Sequence, residues 1–143
     1  MKDTSVLYIE DNDDYVEFME RSIKKVNTNL TLEVIKDGSK AYEYFEKLTE
    51  NDPLPKLILL DIKLPGRSGM EVLSAIRKNQ ATKYIPAIMF SSSENAKDMM
   101  QASENGANAY IVKPIGLSSL TNTLKSLCDF WLVYNKPVEK FAA

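Results

Sequence analysis

Four consecutive aliphatic residues, Leu57, Ile58, Leu59 and Leu60, run directly into a carboxylate, Asp61, and soon after into the pair Pro65-Gly66. An unbroken apolar run of this kind suits a strand covered on both faces, which is the situation of strands in a parallel sheet. The Pro-Gly pair is a turn signal and closes the segment. Asp61 therefore stands at the carboxyl end of a buried strand, the edge at which open α/β sheets bind ligands. Which other polar groups the fold brings to that edge decides what the chain can do.

The remaining segments alternate in the same manner. Residues 5–9 are β-rich and stop at the acidic cluster Glu10-Asp11-Asn12-Asp13-Asp14, after which Val16, Met19, Ile23 and Val26 recur at helical spacing. Asp13 and Asp14 fall at the start of that helix, where its dipole favours carboxylates, so their expected role is structural. Residues 30–35 form a second strand, and Ala41, Tyr44, Phe45 and Leu48 a second helical stripe. Val72, Leu73 and Ile76 mark a third helix, and residues 86–90 a fourth strand that ends in Ser91-Ser92-Ser93. Residues 94–104 are weakly amphipathic, with Ala96, Met99 and Met100 as their apolar positions, and are expected to be the least firmly packed helix. Residues 109–112 make a fifth strand closed by Lys113-Pro114, and Leu117, Leu120, Leu124, Leu127 and Trp131 give the last helix a three-four stripe. Alternating strand and helix predicts a doubly wound α/β fold, a five-stranded parallel sheet with helices on both faces. Residues 1–134 read as one domain and 135–143 as a C-terminal tail.

Composition removes several classes of chemistry. The chain has no histidine, which excludes histidine triads, histidine metal sites and histidine general bases. Its single cysteine, Cys128, cannot form an internal disulfide, and no apolar run approaches a membrane span, so a cytoplasmic protein is expected. A net charge of -2 with both signs interspersed gives no footprint for nucleic acid or an anionic membrane.

Each strand but the second ends in a polar group of its own kind: Glu10-Asp11, Asp61, Ser91 and Lys113. In a doubly wound sheet these four ends can lie side by side and converge on one cleft. Three carboxylates within ~4 Å of one another would repel by a few kcal/mol per pair at an effective dielectric of about 20. One lysine cannot neutralise them. Either some carboxylates stay protonated or a divalent cation sits among them, and oxygen ligands without Cys or His favour Mg²⁺ over zinc. A metal, an ammonium, a hydroxyl and a lone carboxylate nucleophile are the parts that phosphoryl transfer requires. Asp61 would attack phosphorus, Lys113 and Mg²⁺ would offset the oxyanions, and Ser91 would hydrogen-bond one of them.

These residues, in this order, resemble the receiver domains of two-component response regulators (CheY-like). The resemblance rests on Glu10-Asp11, Asp61, Leu64-Pro65-Gly66 with Gly69, Ser91, Tyr110 and Lys113-Pro114, and it covers nearly the whole chain. It implies a flavodoxin-like strand order 2-1-3-4-5 and transfer of a phosphoryl group to Asp61 from a phosphohistidine of a sensor histidine kinase or phosphotransfer protein. It also implies slow hydrolysis of the aspartyl phosphate and a metal site of Glu10, Asp11, Asp61 and the main-chain carbonyl of Lys63. Ser91 and Tyr110 are then the switch pair, and a cis Lys113-Pro114 bond is expected. Departures from the family pattern are Glu10 in place of Asp, Ser91 in place of Thr, and Ser68-Gly69 in place of Asp-Gly.

Phe130 and Val133 lie off the last helix's stripe and are expected to face outward with Tyr134, as a contact surface. The ending Phe130-Trp131-Leu132, followed by Pro137, is similar to the stand-alone regulators partnered with bacterial phytochromes, and implies a homodimer. Two other families fit less well. A haloacid-dehalogenase-like phosphatase would carry Asp-x-Asp, whereas the second residue after Asp61 is Lys63. A flavodoxin needs a Ser/Thr/Gly-rich phosphate loop after the first strand, where this chain has carboxylates. An unphosphorylated scaffold is the third alternative.

Overall fold

The computed structural model describes residues 4–138. Five strands, β1 (Val6–Ile9), β2 (Leu32–Ile35), β3 (Leu57–Leu60), β4 (Ala87–Ser91) and β5 (Ala109–Val112), form one parallel sheet in the order 2-1-3-4-5. Between and after them come helices α1 (Asp13–Val26), α2 (Gly38–Lys47), α3 (Gly69–Lys78), α4 (Ala96–Glu104) and α5 (Leu117–Cys128).

Side-chain alternation along the three central strands divides the interior into two layers. Leu7, Ile9, Ile58, Leu60, Ala87 and Met89 point to one face, where Ala41 and Phe45 of α2, Val72, Leu73 and Ile76 of α3, and Ala102 of α4 cover them. Val6, Tyr8, Leu57, Leu59, Ile88 and Phe90 point to the other, beneath Val16, Met19 and Ile23 of α1 and Leu120, Leu124 and Leu127 of α5. All four residues of β1 and of β3 are inaccessible to solvent, which is why their sequences are apolar without interruption.

Register places the functional edge. Ile9 pairs with Leu60, so the residues that follow, Glu10 and Asp61, leave the sheet side by side on neighbouring strands. Ser91 pairs with Val112, so Lys113 emerges beside the end of β4. Helix caps fix the turns behind this edge. Asn12 Oδ1 accepts from the Tyr15 N–H (3.1 Å) and starts α1 immediately after the acidic pair. Ser68 Oγ accepts from the Glu71 N–H (3.3 Å) and starts α3.

Three expectations need correction. The last helix is α-helical only to Cys128 and continues as a π-helical turn over Asp129–Tyr134, with the Asn135 N–H donating to the Phe130 carbonyl at 2.6 Å. The wider turn lets the adjacent Trp131 and Leu132 both pack on the α1/α5 layer. In α4 the buried position differs from the expected apolar ones: Ala96 and Met100 are exposed and Ala102 is the buried residue, although the helix is as lightly packed as expected. Finally, no cis peptide bond occurs among the described residues, so Lys113-Pro114 is trans. Trans is the lower-energy isomer of an X-Pro bond by roughly 0.5–1 kcal/mol, and from it Lys113 reaches both of its carboxylate partners.

Candidate functional site

The carboxyl ends of β1, β3, β4 and β5 surround a cleft of about 700 Å³ lined by Glu10, Asp11, Asp61, Lys63, Ser91 and Lys113, with Tyr15, Ser93 and Asp98 at its walls. Tyr110 is not among its lining residues. Four strand ends thus supply the groups that the sequence assigned to one place.

Lys113 is the hub of the charged groups. Its Nζ bonds to Glu10 Oε1 and lies 3.0 Å from Asp61 Oδ2, and the ammonium is almost wholly buried. It also sits 4.3 Å from the centroid of the Tyr15 ring, whose face attracts a cation. Glu10 is 1% exposed. Its Oε1 also accepts from the Tyr8 hydroxyl at 3.0 Å, and its Oε2 from the Asn12 N–H at 3.3 Å. Asp61 Oδ1 accepts from the Ile62 N–H at 2.8 Å. Each Asp61 oxygen therefore holds one donor, which fixes the carboxylate while leaving lone pairs on both atoms.

The charges do not balance. Burial raises Glu10 above the ordinary carboxylate range and the neighbouring Asp61 charge adds to this, with Lys113 only partly opposing. For Lys113 burial works downward, but the Glu10 bond and the Asp61 charge outweigh it and hold the ammonium above its usual value. Tyr8 is raised too, by burial first and then by Glu10. Glu10, Asp11 and Asp61 offer carboxylate oxygens that all lie within 4.8 Å of one another, and the buried ammonium of Lys113 pairs with two of the three. This donor set is all oxygen and carries an excess of negative charge, which fits a hard divalent cation of the Mg²⁺ type.

The loops leave room only for glycine at one point behind Asp61. A Cβ on Gly69 would lie 1.9 Å from the Asp61 carbonyl oxygen, and the Gly69 N–H donates to the Ile62 carbonyl at 2.7 Å. The first turn of α3 is thereby pressed against the backbone that carries the acceptor candidate.

Ser91 is the last residue of β4 and is buried, and its Oγ accepts from the Ser93 N–H at 3.1 Å. Tyr110 is half-buried against the α2/α3 layer and its hydroxyl donates to the Ser93 carbonyl at 2.9 Å. Lys63 lines the cleft with an exposed side chain. Asp13 and Asp14 lie outside it: both are in the first turn of α1, and Asp13 pairs with Lys36 at 2.9 Å on the surface. Sequence reasoning missed Tyr8, Tyr15, Ser93 and Asp98. Tyr8 had a usable signal, since residues two apart on a strand share a face and Tyr8 precedes Glu10 by two.

The profile of the response regulator receiver domain family matches residues 6–125. The chain belongs to that family. This receiver domain is 30% identical over 133 residues to the probable methanogenesis regulatory protein FilR2 of Methanothrix harundinacea, a match covering 92% of this chain and 85% of the relative. It is 31% identical over 129 residues to the response regulator Rcp1 of Synechocystis, covering 89% and 88%. Among solved structures it is similar to the phosphorylated cyanobacterial phytochrome response regulator RcpA, with a TM-score of 0.86, 29% identity, and 96% and 99% of the two chains covered. The Mn²⁺-bound form of Rcp1 gives a TM-score of 0.82 at 29% identity, with 95% and 99% covered. No helix among the described residues of this receiver domain is long and apolar enough to cross a membrane.

Proposed function

We propose that the chain is a response-regulator receiver domain of the cytoplasm that accepts a phosphoryl group on Asp61 from the phosphohistidine of a sensor histidine kinase or phosphotransfer protein. The observation that carries this reading is the unbalanced cleft: three carboxylates gathered within 4.8 Å of one another, two of them sharing the buried Lys113 ammonium, with a strand-end hydroxyl beside them. Glu10, Asp11, Asp61 and the Lys63 carbonyl would hold Mg²⁺. When bound, that ion supplies positive charge to the phosphoryl oxygens, which is the main demand of this class of transfer.

The protein's own residues do the rest. An Asp61 oxygen forms the new P–O bond as the P–N bond to the donor histidine breaks, and the proton needed by the departing imidazole comes from solvent or the donor protein. Lys113 exchanges its Glu10 or Asp61 partner for a phosphoryl oxygen, and Ser91 donates its hydroxyl proton to another. Tyr110 then reports the altered β4–α4 loop on the α4-β5-α5 face. Hydrolysis of the aspartyl phosphate is slow, and the chain acts on no other substrate. Output passes by protein contact. Similarity to the cyanobacterial phytochrome response regulator RcpA supports a phytochrome-type kinase as partner. The exposed Phe130, Val133 and Tyr134 support pairing with a second copy; no nucleic acid or membrane partner is proposed.

Beryllofluoride, a phosphoryl mimic, tests the reading. With Mg²⁺ present the parent should bind it saturably, and amide resonances of Ser91, Tyr110 and Lys113 should shift. Equal binding by Asp61→Asn, or no binding by the parent, overturns the assignment.

A further inference from the structure

Ser93 is the point where three parts of the switch region meet. Its N–H donates to Ser91 Oγ (3.1 Å), its carbonyl accepts from the Tyr110 hydroxyl (2.9 Å), and its own hydroxyl donates to Asp98 Oδ2 (2.6 Å) while accepting from the Asn95 N–H (3.2 Å). Every polar group of Ser93 is engaged. The bond to Asp98 is short and charge-assisted, the strongest type in the set.

Asp98 stands in the first turn of α4, half-buried, on the wall of the cleft. Among its described residues α4 buries only Ala102, so apolar packing does little to fix its approach to the sheet. The Ser93 bond joins the Asp98 side chain in its first turn to the loop leading from β4, beside the Asn95 cap. The consequence for Ser91 follows from the valence of a hydroxyl, which has one proton to donate and two lone pairs to accept with. The Ser93 N–H occupies an acceptor position and leaves the Ser91 proton for an anionic oxygen in the cleft. That arrangement holds only while Ser93 is kept in place.

We propose that Asp98 is a positioning residue for phosphoryl recognition: through Ser93 it holds the β4–α4 loop so that the Ser91 hydroxyl proton stays available to the cleft and the Ser93 carbonyl stays beneath Tyr110. The proposal rests on the reading of Asp61 as phosphoacceptor. A carboxylate in the first turn of a helix also favours the helix dipole, and that alone would explain an acid at this position. The two roles separate by substitution, because Asp98→Asn removes the charge but keeps an acceptor for the Ser93 hydroxyl, whereas Asp98→Ala removes both.

The experiment measures beryllofluoride affinity at saturating Mg²⁺, and Mg²⁺ affinity alone, for the parent, Asp98→Ala and Asp98→Asn. Asp98→Ala should bind beryllofluoride about fivefold more weakly, the size typical of residues that act through a neighbour. Its Mg²⁺ affinity should stay within about twofold of the parent, and Asp98→Asn should recover beryllofluoride binding to within about twofold. The Ser93 amide resonance should move in Asp98→Ala and return towards its parental position in Asp98→Asn. Parental affinity in Asp98→Ala overturns the proposal, as does an Asp98→Asn variant as weak as Asp98→Ala, since that pattern belongs to charge at a helix start. A parent that fails to bind beryllofluoride removes the phosphoacceptor reading and this proposal with it; a binding parent with an indifferent Asp98 removes this proposal alone.

Discussion

Glu10 is 1% exposed, shares Lys113 with Asp61, and is held above the ordinary carboxylate range, first by burial and then by the Asp61 charge. A group raised in this way binds its proton more tightly in the native state than in the unfolded chain. Its contribution to metal-free stability is therefore present below pH 4.5, its ordinary value, and lost as the pH rises through the elevated one. A divalent cation needs the ionised form, so Mg²⁺ affinity should move in the opposite sense and grow as the pH rises. Calorimetric titrations near pH 5 and near pH 7.5 should show tighter binding at the higher value, and at the lower value proton release visible as a dependence of the heat on the buffer. Affinity independent of pH, with no proton released, contradicts this account of Glu10. Much of this chemistry was legible in residue types, because oxygen donors without histidine leave few alternatives at a strand edge. Ser93 and Asp98 were not legible: a serine in a run of three and an acid in a helix carry no mark of the bonds that join them. The Glu10 side chain also proved to have protein partners on both oxygens, which no pattern of neighbours in the chain could show.

At the scale of elements, Gly69 couples the start of α3 to the end of β3, where Asp61 stands. A methyl group there would lie 1.9 Å from the Asp61 carbonyl oxygen, which is backbone and cannot rotate aside. Gly69→Ala should lower unfolding free energy by about 1–3 kcal/mol, the usual range for forced overpacking, measured by urea denaturation. It should also weaken beryllofluoride binding, because Asp61 must shift with its strand. A variant of parental stability would show that the loop relaxes freely. The strands were the easiest elements to read, since β1, β3 and β4 lie in the middle of a covered sheet and are buried along their whole length, with Ser91 at the end of β4 the one break in that strand's apolar run. Helix α4 was harder for the converse reason: a helix that buries one alanine imposes almost no pattern, and two of the apolar residues that mark it in the sequence, Ala96 and Met100, are exposed. The π-helical turn left no trace either, because the Leu127-to-Trp131 interval is the same four residues that a regular helix would use, and the widened turn is visible only in the Asn135-to-Phe130 hydrogen bond.

At the scale of the whole molecule, the π-helical turn decides which residues of the C-terminal segment face outward. Trp131 and Leu132 turn to the body, leaving Phe130, Val133 and Tyr134 exposed at 52%, 67% and 74%. The proposed pairing with a second copy puts an aromatic anchor at Phe130, and truncation of such an anchor typically costs about 2 kcal/mol or more of association energy, roughly a thirtyfold loss of affinity. Phe130→Asp should therefore sediment as a monomer at concentrations where the parent is dimeric, and an unchanged sedimentation coefficient against a dimeric parent would contradict the assignment. The proposed tail, residues 135–143, lies partly outside the described residues, which end at Val138. The proposed phosphoacceptor site draws four strand ends around Asp61 and depends on magnesium. Intact-mass spectrometry after incubation with acetyl phosphate tests it most directly. The prediction is the added mass of one phosphoryl group in Mg²⁺, none in EDTA and none in Asp61→Asn, whereas an unmodified parent in Mg²⁺, or a modified Asp61→Asn, would contradict it.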